Sequence, residues 1–446
     1  MNILNLLSAA PAIGIFGGGV TGKAVVRFCQ HRGLACKIFN EFGPAGEQFS
    51  EQEAQKYPLI VRSPSFMLSH KWVQLATSLG CRCIAELDLA ACLWRGKILA
   101  VTGTNGKTTT TEFLVHALKL CGQKAIACGN IGYPFSDAVI SDCNLENVFA
   151  VVEVSSFQMD GSTEFRPDYV LWTNFANDHL DAHANLKEYF NCKAGLIRNV
   201  KKSENICCFV GQSVDDFRRQ FQADDICGKY LVCTPHGGLP NDSVLNVGVQ
   251  RKNFALVQKF WQSVKFPVER LEEAARTFQL PPHRLKAVGK VRRSDPQSGH
   301  SKEVEFWDDS KATNFHAMEA ALASFDRPVI LIAGGKSKNE PIEEFLNIIS
   351  GKVKGLLLIG ETGETLYRAV MAYSRLNFPV VYKLFRLSEN AKETMDSAVQ
   401  YAFAIASDGD TVLLSPGFSS LDWFENYTER GKFFRESVLC LNLQNK

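Results

Sequence analysis

Four residues in the stretch VTGTNGKTTT (101–110) could together hold a phosphate: Gly103, Gly106, Lys107 and Thr108 stand between an apolar run and a helical one. The strict phosphate-loop pattern GxxxxGK[ST] asks for glycine at the position of Val101. The physics survives that mismatch. Backbone NH groups of Gly103, Thr104, Asn105, Gly106, Lys107, Thr108 and Thr109 can wrap phosphate oxygens, and Lys107 can bring a point charge to the β and γ phosphates. Thr108 can turn its hydroxyl to Mg²⁺, and the helix that begins there adds its positive end. A glycine turn with an incidental lysine would leave the Lys-Thr pair at the helix start unexplained.

A second glycine loop precedes it. GIFGGGVTGKAVVRF sets Gly17, Gly19 and Gly22 in GxGxxG spacing after a strand and at the start of a helix. That arrangement permits a tight turn and close approach of a diphosphate to the helix N-terminus. Glu41 follows at about the distance where an acidic residue would hold a ribose hydroxyl. Two ligand classes stay open here, a nicotinamide-type dinucleotide and a UDP group. An oxidoreductase built on this loop alone would leave the Lys107 loop without a purpose.

Two later apolar runs end in polar clusters. VFAVVEVSSF carries Glu153, Ser155 and Ser156, and LWTNFANDHLDAH carries Asn174, Asp178, His179, Asp181 and His183. Ligands of parallel α/β sheets bind at carboxyl ends of strands, which makes Glu153 a candidate Mg²⁺ ligand. Taken singly, Glu153 reads equally well as a surface loop residue, and His179 reads as a structural histidine rather than a ligand. Lys193 lies further on, in KEYFNCKAGLI, on an expected helix. An unmodified ammonium cannot ligate a cation, a carbamate could, and spacing alone favours a solvated lysine.

The elements that must position these groups are short apolar strands separated by amphipathic helical stretches: AIGIF, LACKIF, LIVRS, KILAVTG, AIACG, VFAVVEVSS, YVLWTNF, PVILIAGG, GLLLIG and DTVLLSPG. Such alternation predicts an α/β fold with mainly parallel sheets. A chain of 446 residues exceeds one ordinary domain, and three are expected. Boundaries fall near Trp94 to Gly96 and at Pro281-Pro282, giving residues 1–95, 96–281 and 282–446. Residues 203–250 are polar and resist assignment, and residues 289–302 read as a long hairpin tip.

Composition excludes several classes. Hydrophobic residues make up 46% and charged residues 22%, as in a globular protein and not a disordered one. The net charge of +2 offers no whole-protein case for nucleic acid or a membrane surface. The 14 cysteines show no CxxC pair and read as reduced, buried thiols of a cytoplasmic protein. The opening MNILNLLSAAPAIGIF is apolar but lacks a basic leader and runs directly into a glycine loop, so it reads as part of the fold.

Taken in order, GTNGKTTT, EVSSFQ, the NxxxDHLD pattern, the lysine helix, LPPHR and DDSKATN resemble the Mur ligase family of ATP-dependent amide ligases, and the resemblance covers essentially the whole chain. The C-terminal LLSPGFSSLDWFENYTERGKFF is closest to its D-glutamate-adding branch, and the DNPR-type signature of the diaminopimelate or lysine adders is absent. A related ligase that adds glutamate to folates would share GTNGKTTT but lack the first glycine loop and the SPGFSSLDWF stretch. The resemblance implies a Rossmann-like N-terminal UDP-binding domain, a central phosphate-loop ATPase domain and a Rossmann-like C-terminal domain that receives the amino acid. It implies a monomeric cytoplasmic enzyme of peptidoglycan precursor synthesis, and through it of cell shape and division. Its substrates would be UDP-N-acetylmuramoyl-L-alanine, D-glutamate and ATP, with no nucleic-acid or membrane partner.

Residue roles follow from the same resemblance. Lys107, His179 and Lys193 would be catalytic. Thr108, Glu153, His179 and a carbamoylated Lys193 would serve two Mg²⁺ sites. Arg284, Asp309 and Lys311 would join the 103–109 loop on ATP. Gly19, Val20, Thr21, Asn40, Ser65, Asn130 and Ser155 would hold the UDP-muramoyl substrate, and Thr313, Lys338, Ser420, Leu421 and Tyr427 the D-glutamate. The chain departs from the pattern at GVQRKNF, with Gln250, Arg251 and Phe254 where the family carries an asparagine-rich GxHNxxN. It departs again at Asn40, Glu41 and Phe42, where relatives carry Asp, a small residue and Arg, and at Ser65, which replaces a glycine.

Overall fold

The computed structural model describes residues 3–43, 47–180, 182–203, 205–246, 248–294, 301–338, 340–373 and 381–444. Asp181 lies outside them. The strands are β1 (Ile13–Phe16), β2 (Cys36–Phe39), β3 (Leu59–Arg62), β4 (Arg82–Ala85), β5 (Lys97–Thr102), β6 (Lys124–Gly129), β7 (Val148–Glu153) and β8 (Tyr169–Trp172). They continue as β9 (Cys208–Gly211), β10 (Leu231–Cys233), β11 (Lys286–Ser294), β12 (Ser301–Asp308), β13 (Val329–Ala333), β14 (Val353–Leu358), β15 (Val381–Leu384) and β16 (Thr411–Leu414).

Three sheets result, ordered β2-β1-β3-β4, β10-β9-β8-β5-β7-β6 and β11-β12-β16-β13-β14-β15. The first two are wholly parallel. The third is parallel apart from the antiparallel β11·β12 pair at its edge. Helices cover the sheets, so β1, β3, β7 and β13 are buried at every residue, which is why they read as unbroken apolar runs. The chain divides into two compact units, one of residues 1–176 with 183–278, the other of residues 177–182 with 279–446. The first unit contains the first two sheets. Its largest core cluster runs from Ile13 and Val61 to Ala100, Val152 and Trp172.

All ten strand runs named above contain strands. The polar stretch 203–250 holds β9, a helix over Gln212–Phe221, β10 and the start of a helix over Gly248–Ser263. Of the supposed tip at 289–302, residues 289–294 and 301–302 are ladder, Arg293 pairing with Lys302 and Ser294 with Ser301, while residues 295–300 lie outside the described residues. Lys-Arg alternation with Glu303 and Glu305 across the ladder gives the pair its charge complementarity, a pattern easily taken for loop.

Candidate active site

The register of the second sheet assembles the phosphate loop. Val101 pairs with Glu153 and Thr102 with Trp172, so the loops after β5, β7 and β8 leave the sheet side by side. Gly103 and Gly106 take φ of 149° and 81°, and Gly106 starts the helix over Lys107–Leu120. The β8 loop braces the turn: Asn174 Oδ1 accepts from the Asn105 NH at 2.9 Å, and Thr173 Oγ1 donates to the Asn105 carbonyl at 2.6 Å. Lys107 Nζ lies over the loop, donating to the carbonyls of Gly103 and Thr104, each at 2.9 Å. An ammonium held at that spot is positioned for a phosphate oxygen.

Two predicted site residues lie against this loop. Lys193, 1% exposed, donates to the Gly103 carbonyl at 3.1 Å and approaches Thr102 Oγ1 at 3.4 Å. Glu153, 2% exposed, accepts from Asn130 Nδ2 at 3.1 Å through Oε1, while Oε2 is buried with no hydrogen-bond partner. An unsatisfied buried carboxylate oxygen is costly unless something supplies positive charge, and a hard cation with oxygen ligands fits it. The donor chemistry of Glu153 therefore suits Mg²⁺, and Thr108, half-buried in the first turn of the helix over Lys107–Leu120, carries a hydroxyl of the same hard-oxygen class. Among the described residues no group of three or more His, Cys, Asp or Glu is placed to hold a metal ion.

The cluster after β8 divides. Asn174 braces the phosphate loop, and His183 is buried with Nε2 at 2.9 Å from Ser156 Oγ, a structural pairing. Ser155 instead caps the short helix over Ser156–Met159. Asp178 and His179 belong to the second unit, where His179 has φ of 57°. There Asp178 accepts from Asn314 Nδ2 at 2.9 Å and pairs with Lys338 Nζ at 3.3 Å, beside a pocket of about 100 Å³. Lys338 is thus the cation of a small polar pocket.

Of the other predicted residues of this unit, Arg284 lies just before β11 and the rest follow the ends of β12 and β16. Asp309 is buried, accepting from Ser415 Oγ and the Leu285 NH, each at 3.0 Å, and burial raises its carboxyl to about 8. The hydrogen bonds from Ser415 and Leu285 oppose that shift, and half-buried Arg284 does so more weakly. Lys311 lies 4.0 Å from the ring centre of Tyr427. Thr313 is half-buried, Ser420 is buried, and Leu421 is 62% exposed. Sequence reasoning missed the frame beneath them. Arg430 is fully buried, donating to the carbonyls of Ser310 and Phe418, and His283 Nδ1 meets Asp308 Oδ2 at 2.6 Å. No sequence signal marked them, since Arg430 stands in YTERGKFF and His283 in LPPHRLK among other charged residues.

It also missed Asn253. This residue is 3% exposed on the helix over Gly248–Ser263, and a Cβ on Gly106 would come within 2.5 Å of its Nδ2. Its Oδ1 has no hydrogen-bond partner. Phe254, by contrast, packs against Phe113 with ring centres 5.8 Å apart; it is core. One residue of register separates the two, which motif matching could not resolve.

The first glycine loop has an equally direct origin. Phe16 pairs with Phe39 and with Arg62, so the turns after β1, β2 and β3 meet over an aromatic cluster in which Phe16 and Phe49 are 4.9 Å apart. They enclose a cleft of about 380 Å³ whose lining includes Gly19, Val20, Thr21, Asn40 and Ser65. Ser63 Oγ, buried in that lining, has no partner. The Glu41 carboxylate is engaged by His70 at 3.0 Å and by Lys71, which together hold it below its ordinary range. Asn40, directly after β2, is therefore the residue at the strand end, and Glu41 anchors the turn.

A glycine-lysine-threonine loop on one parallel sheet and a glycine cleft of about 380 Å³ on another are the two candidate ligand sites of this α/β fold. Residues 101–232 match the Mur ligase middle domain and residues 292–418 the Mur ligase glutamate ligase domain. A UDP-N-acetylmuramoylalanine–D-glutamate ligase of Caldicellulosiruptor bescii is 30% identical over 95% of this chain and 96% of its own. The enzyme of that name from Chlamydia pneumoniae is 32% identical, over 94% and 96%. The chain belongs to the Mur ligase family. Its fold is that of the crystal structure of UDP-N-acetylmuramate–alanine ligase from Thermotoga maritima, with a TM-score of 0.56 at 15% identity over 96% of this chain and 99% of that one.

Proposed function

We propose that this protein joins D-glutamate to UDP-N-acetylmuramoyl-L-alanine at the cost of ATP, in the cytoplasm and as a monomer. Residues 1–95 would take the UDP, residues 96–281 the ATP and residues 282–446 the amino acid. The observation that carries the reading is the loop at 103–108, with the Lys107 ammonium fixed over its carbonyls; relatives of that activity along nearly the whole chain supply the substrate. The substrate carboxylate attacks the γ phosphorus, forming an acyl phosphate as the bond to ADP breaks. The amine of D-glutamate then attacks the acyl carbon, giving the amide and inorganic phosphate after loss of a proton. Positioning and charge neutralisation do most of this work.

Lys107 neutralises charge on the transferring phosphoryl group, and the NH groups of 103–108 orient it. Mg²⁺ held by Thr108 and Glu153 would supply Lewis acidity toward the phosphate oxygens. Lys193 as a carbamate would add an anion to that region while keeping one N–H for the Gly103 carbonyl it already meets. Lys338 and Thr313 would take the side-chain carboxylate of D-glutamate. The first glycine cleft favours this reading over a folate-glutamate ligase, which has no UDP group to place there.

The test is phosphate release from ATP with UDP-N-acetylmuramoyl-L-alanine, comparing D-glutamate with L-glutamate, L-lysine and meso-diaminopimelate. Strict dependence on D-glutamate is expected. Release driven by a folate with L-glutamate would overturn the assignment. The carbamate is checked separately by the mass of an intact Lys193-containing peptide or by ¹³C-carbonate labelling.

A further inference from the structure

β3 is buried along its whole length, and it ends in a charge. Arg62 is 2% exposed and pairs in register with Phe16 of β1 and Ala85 of β4, where an apolar side chain would pack without penalty. A guanidinium in such a place is costly unless its donors are met. Its Nη1 donates to the Phe66 carbonyl at 3.1 Å, its Nη2 donates to the Asp160 carbonyl, and the Asp160 carboxylate lies 3.8 Å from Nη1.

Those partners belong to two different sheets. Phe66, with Ser63, Pro64 and Ser65, forms the turn after β3 that lines the first glycine cleft. Asp160 ends the single helical turn over Ser156–Met159, whose other end is capped by Ser155 just beyond β7. The hold is two-sided, because the Leu68 NH donates to Asp160 Oδ2 at 2.6 Å. Asp160 thus meets Arg62 before the cleft turn and Leu68 after it. Asp88, on the helix over Glu86–Ala91, extends the mount: its Oδ1 accepts from Ser162 Oγ at 2.6 Å and from the Phe165 NH at 2.9 Å. Between the two segments lies a cavity of only about 10 Å³, lined in part by Arg62, Pro64, Phe157 and Gln158, so neither has room to shift. At the far end the Val154 NH donates to the Val101 carbonyl at 2.8 Å. A path of fixed groups therefore runs from the cleft turn through Arg62 and Asp160 to Ser155, and on to the end of β5 that carries the phosphate loop.

A buried ion pair adds little net stability over apolar side chains of the same volume, and its best attested use is to fix registry between elements. A ligand that occupies both ends of this path needs such registry, since its second contact is gained at high effective concentration only where the spacing fits. We propose that Arg62, with Asp160 as its partner, is a positioning residue: it sets the distance between the glycine cleft and the phosphate loop, so that a substrate whose nucleotide end sits in the cleft brings its carboxylate to the transferring phosphate. The proposal rests on the reading of the substrate as a UDP-linked carboxylic acid.

The experiment compares full-length wild type, Arg62→Met, Arg62→Lys and Asp160→Asn. It measures calorimetric binding of UDP, of UDP-N-acetylmuramoyl-L-alanine and of a non-hydrolysable ATP analogue, together with steady-state kinetics. In Arg62→Met the affinities for UDP and for the analogue should stay within about twofold of wild type, while the gain in affinity from UDP to the full substrate shrinks about tenfold. Its kcat should fall about a hundredfold, the scale of a misplacement of about 1 Å. Arg62→Lys should recover part of that loss, because an ammonium restores the charge but cannot span both carbonyls as a planar fork does. Asp160→Asn keeps the carbonyl partner and should show the Arg62→Met pattern at smaller size; it decides the question if Arg62→Met does not fold. Wild-type kcat in Asp160→Asn, or in a folded Arg62→Met, would overturn the proposal. So would a UDP affinity that falls as far as that of the full substrate, which would make Arg62 a support of the cleft alone. Wild-type protein that binds the ATP analogue but neither UDP nor the full substrate would instead overturn the reading of the substrate, and the proposal with it.

Discussion

The two glycine loops look alike in sequence and are built for different purposes. At 103–108 the glycines are required by the protein itself: a Cβ on Gly103 would sit 1.9 Å from Thr173 Oγ1, and one on Gly106 2.5 Å from Asn253 Nδ2. The loop is closed in from outside, and its ammonium is already in place. At 17–22 only part of the spacing is internal. A Cβ on Gly22 would meet the Gly17 carbonyl at 1.8 Å, whereas one on Gly19 would have nothing within 4 Å. The first loop is therefore half packing and half open floor, as a site for a larger ligand should be, and the second is a tight cradle for a few oxygens.

The largest expected effect separates the loops by chemistry. Lys107→Ala should lower kcat about a thousandfold, the scale of removing one preorganised group from charge developing in the transition state. UDP binding and the melting temperature should hold. Turnover at wild-type rates would refute the phosphate role. Next comes Gly22→Ala, which forces a methyl onto a carbonyl oxygen. It should cost about 3 kcal/mol in urea unfolding, at the upper end for overpacking, and UDP affinity should fall with it. A smaller effect is expected of Asn253→Ala. Its carboxamide is the wall behind Gly106, and its loss, on the scale of one hydrogen bond or about 1 kcal/mol, should raise the KM for ATP about fivefold with the KM for the UDP substrate unchanged. If instead both KM values rise together, Asn253 supports the unit as a whole.

Much of this was legible because parallel sheets write themselves as unbroken apolar runs and because glycine, lysine and threonine at a helix start have few other uses. The ends of β5, β7 and β8 could be named from sequence, and with them Lys107 and Glu153. Register was not legible: that Val101 faces Glu153 and Thr102 faces Trp172 is set by long-range packing. Hence Asn174 appeared as one of a polar cluster, while its work is to brace Asn105. Nor could a motif show that Glu41 spends its carboxylate on His70 and Lys71, or that Asn253 and not Phe254 faces the loop. Each depends on a side chain's direction, which a spacing does not encode.

Gly19→Ala makes the finest cut between the loops. Gly19 has φ of −74° and ψ of −163°, a backbone any residue adopts, and the space beyond its Cα is open. The folded protein alone should not notice the methyl, and stability should stay within about 0.5 kcal/mol of wild type. A diphosphate drawn close to the helix N-terminus would notice it, because the second glycine of such a loop is there to let the ligand's oxygens reach the backbone. The expected result is an unchanged unfolding curve with UDP affinity several-fold weaker and ATP affinity untouched. An alanine tolerated in both measurements would place the diphosphate away from Gly19, leaving Gly17 and Gly22 as glycines of packing and making the first loop a structural turn like any other.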